Sequence, residues 1–335
     1  MVFKKVLLLD TNYSILKMKI IDHIANANGK TLFSFELLPP IKGQSLQGIY
    51  NAIDPLMEFK PPFIDVTSSR EDLFYKESPD GNIKKATYRK RPGTVAVCAA
   101  IQHKYGVDTV PHLICGGFTK EETEYALIDL QFLGIDNVLV LRGDARKTDP
   151  GFIPTPGGHC YASDLLEQVT NMNNGIYLHE YQDTSYKTDF CIGVAAYPEK
   201  HFESPNLKTD FKYLKQKIAG GANFIVTQMF FDNSKYKEFV NLCRENDINV
   251  PIIPGLKPIT SAKQLVNLPK IFHIDMPEDL CDAVQACKND KDVKEVGIEW
   301  MINQCKELVE FGAPVLHFYT MGNAEPTKRI AQAIF

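Results

Sequence analysis

The sequence predicts an α/β chain folded as a (β/α)8 barrel, with parallel strands and inserted loops. Three observations point there. First, an amphipathic helix that stops near a glycine and is followed by a short apolar run recurs along the chain, as in DLQFLGIDNVLVLRGD, KIAGGANFIVTQMFFD and LVEFGAPVLHFYTMGN. Second, eight such runs can be counted, with helix-like segments between them, and strand–helix alternation repeated eight times is the barrel signature. Third, no GxGxxG or GxxxxGK(S/T) string occurs, although the runner-up, a doubly wound open sheet, normally carries one after an early strand.

Residues 1–29 read as an N-terminal extension, helical or disordered. Its apolar stretch runs only from Val6 to Leu9 before Asp10 ends it, too short for a signal sequence. Residues 30–335 then form one catalytic barrel, and a 335-residue chain that is 44% apolar can fill one large core. The strand runs are 32–35, 63–66, 110–114, 138–141, 192–196, 224–227, 251–254 and 315–318. Their near-continuous apolar character suits parallel strands covered on both faces. Helical patterns occupy 119–132, 207–219, 235–244 and 298–311. Gly134, Gly221 and Gly312 suit left-handed helix ends, and Asn246–Asp247 takes that place in CRENDINVPIIPGL. Two segments interrupt the repeat: a polar one at 68–93, with Lys84, Lys85, Arg89, Lys90 and Arg91, and the Pro/Gly stretch DPGFIPTPGG at 149–158. Both read as loops on the active face, placed to act as lids.

Composition narrows the function. Lys plus Arg number 37 against 41 for Asp plus Glu, so the net charge of -4 gives no nucleic-acid footprint. No apolar stretch approaches the roughly 20 residues that cross a bilayer, so no membrane role is expected. The eight cysteines include no CxxC pair, and several lie in apolar runs, as buried reduced thiols of a cytoplasmic protein would. The histidines are scattered, without HxH or HExxH, so no metal is expected.

In such barrels chemistry gathers at the C-terminal strand ends. Those ends carry Glu36, Thr67, His112, Arg142 with Asp144, Tyr197, Gln228, Lys257 and Tyr319, nearly all polar or ionisable. A strand-end glutamate can act as a general acid if burial lifts its pKa, and it serves equally to cap a helix or pair with a lysine. Lys257 would suit Schiff-base chemistry of the aldolase type. His112, beside Leu113 and Ile114, reads as a site residue or a core histidine, and Tyr197 as a site residue or packing. Gln228 can both donate to and accept from a heterocycle edge. Phe230 and Phe231 suit a stacking platform or a place beneath a helix. Arg142 and Asp144 could instead pair with each other.

The motifs SFELLPP, PHL, LRGD, YASDL, AAYPEKH, TQMFFD, IIPGLKP and HFYT occur here in one order. In that order the chain resembles the methylenetetrahydrofolate reductases over about residues 30–335. The resemblance implies FAD as cofactor, NADH or NADPH as co-substrate, a folate substrate, 5-methyltetrahydrofolate as product, and a homo-oligomer. It implies that Glu36 is the general acid and that Asp144 lies beside flavin and folate. FAD contacts are implied for Thr67, His112, Arg142, Gly143, Asp144, Tyr161, Ala162, Tyr197, His201, Asp210 and Lys217, and folate contacts for Gln228 and Gln264. A non-catalytic folate- or flavin-binding relative is the other reading it admits. The chain departs from the family at Ser68, where an aromatic residue is usual, at Leu268, which replaces a phenylalanine, and at Tyr213 and Gln216. Asn323 stands where bacterial relatives often hold an arginine, which leaves Lys328 or Arg329 for a folate's glutamate tail. The end at Phe335 leaves no room for the adenosylmethionine-binding domain of eukaryotic relatives, so no such feedback is expected.

Overall fold

A computed structural model describes residues 17–146, 148–179 and 186–335. The apolar stretch at 6–9 lies outside them. Strands β1 (Leu32–Leu37), β2 (Phe63–Val66), β5 (Asp108–Ile114), β6 (Asn137–Leu141), β7 (Cys191–Ala196), β8 (Phe224–Thr227), β9 (Ile252–Ile253), β10 (Gly255–Leu256) and β11 (Val315–Tyr319) form one parallel sheet. Its order is β10-β11-β1-β2-β5-β6-β7-β8-β9. The two outermost strands, β9 and β10, follow each other across Pro254, so one stretch of chain joins both ends of the order. The ring therefore has eight staves, at the eight places the apolar runs predict. This is the TIM-barrel architecture.

The outer layer holds α2 (Gln47–Ile53), α3 (Thr94–Tyr105), α4 (Lys120–Leu133), α5 (Ala162–Asn173), α6 (Leu207–Ala219), α7 (Asn233–Arg244), α8 (Gln264–Phe272), α9 (Glu278–Gln285), α10 (Asp290–Phe311) and α11 (Ala324–Ile334). Their ends are set by local chemistry. Thr119 and Glu122 close a reciprocal capping box on α4, at 3.1 and 2.8 Å, and Gly134 ends that helix with φ of 62°. Helix α10 starts earlier than its periodicity suggests, because the Asn289 side chain caps it through the backbone N–H groups of Lys291 and Asp292. Asn323, where an arginine was usual, caps α11 through Glu325 N at 3.2 Å.

One reading is corrected. The 68–93 segment is not all loop: β3 (Asp72–Glu77) and β4 (Ile83–Tyr88) pair as an antiparallel hairpin. Its turn runs Ser78–Pro79–Asp80–Gly81, with Gly81 N donating to Ser78 O at 2.9 Å, Gly81 at φ of 77° and Ser78 N donating to Asn82 O at 2.8 Å.

Helix α1 (Ile20–Asn26) lies under the barrel. Ile20 is fully buried among Phe63, Val110, Leu139, Phe224, Val226, Ile253 and Val315, which fill the lower lumen. Gly193 makes room there, since a Cβ on it would meet the Phe224 ring at 2.3 Å. Two positions further along β1, β2, β5 and β11 the lumen turns polar at Ser34, Asp65, His112 and His317, with Glu36 and Tyr319 two residues beyond on β1 and β11. An apolar floor thus carries a polar top layer at the C-terminal end of the barrel.

Candidate active site

Glu36 stands in that top layer. It is the register partner of Asp65 on β2 and of Tyr319 on β11, so the three side chains enter the lumen at one level. Its carboxyl is mostly buried, and burial pushes its pKa up to about 7. His112 and Lys257 oppose that rise, and Asp65 adds to it. Strand alternation sends the Glu36 neighbours Phe35 and Leu37 to the outer core. The lumen neighbours of Glu36 are polar, and removal from water rather than an apolar pocket lifts its pKa.

His112 Nε2 lies 3.8 Å from Glu36 Oε2 and donates to Asp65 Oδ2 at 3.3 Å. Ser34 Oγ and His317 Nδ1 sit 2.8 Å apart. Tyr319 donates its phenolic proton to Thr227 O at 2.7 Å, and burial raises its pKa. Lys257 is only 9% exposed, and burial lowers its pKa against the pull of Glu36.

The residues beyond strands β6 and β7 form the wall of the mouth. Arg142 pairs with Glu203 at 2.5 Å, not with Asp144, and lies 5.0 Å over the Phe152 ring. Gly143 takes φ of 82°, a left-handed conformation that favours glycine. Asp144 opens to solvent in the mouth; crowding by the protein raises its carboxyl and Arg142 lowers it. The Tyr197 and His201 rings meet edge-on at 4.7 Å. Asp210 accepts from His201 N at 3.0 Å and Ser204 Oγ at 2.9 Å, which fixes the loop between β7 and α6. Lys217 donates to Ala195 O at 2.5 Å, and burial lowers its pKa to about 8. Tyr161 is exposed at the start of α5, with Ala162 as the first helical residue.

Two expected folate contacts are already engaged. Gln228 accepts from Met229 N at 2.9 Å, and Gln264 accepts from Thr260 N at 2.6 Å and Ser261 N at 3.1 Å in the turn into its own helix. Phe230 and Phe231 are buried, so they pack rather than offer a stacking surface. Lys328 pairs with Glu58 and Arg329 with Glu295 on the outer layer.

Residues missed in the sequence also shape the site. Asp65 is buried at the centre of the polar layer; its signal was a charge inside the otherwise apolar run FIDV. Arg70 donates to Asp144 O at 3.4 Å and Ile153 O at 3.3 Å. Arg146 donates to Glu71 Oε1 at 2.9 Å. These bonds tie the chain entering the hairpin to the loop that carries Asp144.

The family model described as methylenetetrahydrofolate reductase matches residues 19–334. The chain belongs to this family. It is 30% identical to the 5,10-methylenetetrahydrofolate reductase of Buchnera aphidicola, over 90% of this chain and 91% of that one. It is 32% identical to methylenetetrahydrofolate reductase (NADH) 1 of Arabidopsis thaliana, over 91% of this chain and 48% of the relative. The chain thus spans about half the length of the eukaryotic relatives it matches. Among solved structures, a Clostridium thermocellum protein described as binding two copies of 5-methyl-5,6,7,8-tetrahydrofolic acid shares the fold, with a TM-score of 0.53 at 16% identity and coverage of 93% and 96%.

Proposed function

We propose that this protein reduces 5,10-methylenetetrahydrofolate to 5-methyltetrahydrofolate with NADH or NADPH, using FAD and a ping-pong order, with Glu36 as general acid. The observation that carries the reading is a buried carboxyl at a barrel strand end whose pKa of about 7 lets it hold a proton at working pH. Family membership supplies the substrate class. Relatives named for NADH and for NADPH leave both nicotinamides open.

The mouth fits a flavin dinucleotide. Thr67 Oγ1 is buried at the end of β2 with no hydrogen-bond partner among the described residues. Arg142 and Lys217 bring cations suited to a pyrophosphate, while Tyr197, His201 and Tyr161 bring aromatic surface. Glycine at 143 lets the backbone approach closely. When bound, FAD would carry two electrons between the nicotinamide and the folate.

The protein's own part is acid and electrostatic chemistry. Glu36 delivers a proton to one ring nitrogen of the folate, the bond from that nitrogen to the bridging carbon breaks, and the remaining iminium becomes electrophilic. Addition of a hydride to that carbon gives the methyl group, while the nicotinamide is oxidised in the net reaction. Asp144, at the mouth, disfavours anionic charge next to it and can accept a hydrogen bond from a pterin.

Absorption of purified protein near the flavin bands, followed by nicotinamide oxidation with and without folate acceptor, tests the reading. Glu36→Gln is expected to keep flavin and nicotinamide oxidation yet lose folate turnover. Folate reduction by that variant at the wild-type rate would overturn the acid assignment. The buried, pKa-lowered Lys257 favours a second reading, a Schiff-base aldolase. Borohydride trapping of a carbonyl substrate on a colourless protein would select it.

A further inference from the structure

We infer that Asp65 is a positioning residue for the acid chemistry of Glu36, acting through His112. This inference rests on the acid role proposed for Glu36 and adds a residue that no family motif above contains.

The barrel register brings the three together. Glu36 and Asp65 are Cα partners on β1 and β2, and Asp65 is the partner of Val110 on β5, two residues before His112. In parallel strands those positions face the same side. One nitrogen, His112 Nε2, consequently faces two carboxylates, 3.3 Å from Asp65 Oδ2 and 3.8 Å from Glu36 Oε2. Asp65 is 1% exposed, and its Oδ1 has no hydrogen-bond partner among the described residues. A buried carboxylate is costly unless a cation stands beside it.

The groups facing this layer assign that cation. From β1 come Glu36 and Ser34, from β2 Asp65, from β5 His112, from β11 His317 and Tyr319, and from the end of β10 Lys257. Burial lowers His317, whose Nδ1 lies against Ser34, and burial raises Tyr319. Lys257 acts on Glu36 rather than on Asp65. Burial also pulls His112 down, but the hydrogen bond to Asp65 and the charges of Glu36 and Asp65 outweigh it, so its pKa rises.

The consequence concerns the moment of proton transfer. With Glu36 neutral, the His112 N–H is held by Asp65. When Glu36 passes its proton to the folate nitrogen, the new carboxylate appears 3.8 Å from the His112 Nε2 that Asp65 already holds. His112 keeps its own proton, and Asp65 fixes its ring and charge before the reaction starts. A buried ion pair with structural duty alone would bind the same atoms but would not favour one half-reaction over the other.

The test uses the flavin-loaded full chain labelled with 15N-histidine. In wild type the His112 midpoint is expected above its ordinary 6.5; in Asp65→Asn it should fall clearly below the wild-type midpoint, and Asp65→Glu should restore it. In stopped flow, Asp65→Asn should slow folate reduction about tenfold or more while leaving nicotinamide oxidation nearly unchanged. An unmoved His112, or equal loss in both half-reactions, overturns the role given to Asp65. Should Asp65→Asn fail to fold, Glu36→Gln carries the test: with the Glu36 charge gone the His112 midpoint should fall only in part, because the hydrogen bond to Asp65 remains, and an Nε2–H whose signal no longer reports that hydrogen bond overturns the inference. Wild-type folate reduction by Glu36→Gln would sink the acid role of Glu36 itself, an outcome distinct from an unmoved His112.

Discussion

The burial that lifts the Glu36 carboxyl to about 7 also burdens the fold above neutral pH. In the unfolded chain this group titrates near its ordinary value of 4.5. Between those two values the native state keeps a proton that the unfolded state has lost, so native stability falls as pH rises through the window. Above pH 7 the full penalty stands, about 3 kcal/mol. Glu36→Gln removes the charge and should therefore unfold at higher temperature than wild type at pH 8, with the gap closing toward pH 4.5. Folate reduction should show the opposite face of the same titration, declining as pH rises through about 7 while nicotinamide oxidation does not. Glu36, His112 and Tyr197 were legible because each is a polar residue at a predicted strand end. Asp65 was not, since its importance depends on which strands are neighbours and in what register, and one strand's sequence records neither. Gln264 was named only through the family resemblance, and its hold on the Thr260 and Ser261 N–H groups depends on the turn there.

Elements carry the site only if they are held in place, and two are held by specific side chains. Beneath the barrel, Asn137 Oδ1 accepts from Ile20 N at 2.9 Å and Asn137 Nδ2 donates to Met18 O at 3.0 Å. Asp108 accepts from Met18 N and approaches His23 at 2.7 Å. These bonds seat α1 so that Ile20 closes the apolar floor. Ile20→Ala leaves a cavity there and should cost about 2–4 kcal/mol in denaturant titration. On the opposite face, Arg70 and Arg146 bind the hairpin segment and the Asp144 loop to each other, and Arg70 also lies over Phe152 at 5.6 Å. Arg70→Ala should speed hydrogen exchange at 72–88 and 144–153 together, with little change in the barrel strands. Faster exchange in only one segment would argue that they are independent. Helices α4, α6, α7 and the C-terminal part of α10 were readable from periodicity, as were the glycines at 134, 221 and 312 that follow three of them. The hairpin was concealed by its charged, exposed strands, which lack the apolar face that usually betrays a strand.

At the scale of the whole molecule, the ring of strands must close for the polar layer to exist, and closure falls at one seam. Strands β9 and β10 are two residues each and break at Pro254, so this stave is the least regular in the barrel. Gly255 N donates to Thr227 Oγ1 at 3.0 Å, and Tyr319 crosses the seam to Thr227 O. A Cβ on Gly255 would lie 2.3 Å from both Thr227 O and the Tyr319 hydroxyl oxygen. The first is backbone of β8 and cannot yield without moving that strand; the second is already fixed by its hydrogen bond. Gly255→Ala should thus strain β8, β10 and β11 at once and destabilise the barrel by about 1–3 kcal/mol or more. It should also displace Tyr319 from the level of Glu36, so folate reduction should fall even at temperatures where the variant is fully folded. Gly48→Ala supplies the contrast: apart from its own stretch of helix nothing lies within 4 Å of its Cβ position, and in the short helix α2 alanine should be neutral or stabilising by up to about 1 kcal/mol. Calorimetry and folate turnover measured on both variants separate a general intolerance of added methyl groups from failure at the seam. A Gly255→Ala protein as stable and active as wild type would mean that the ring does not rely on this junction to hold its polar layer.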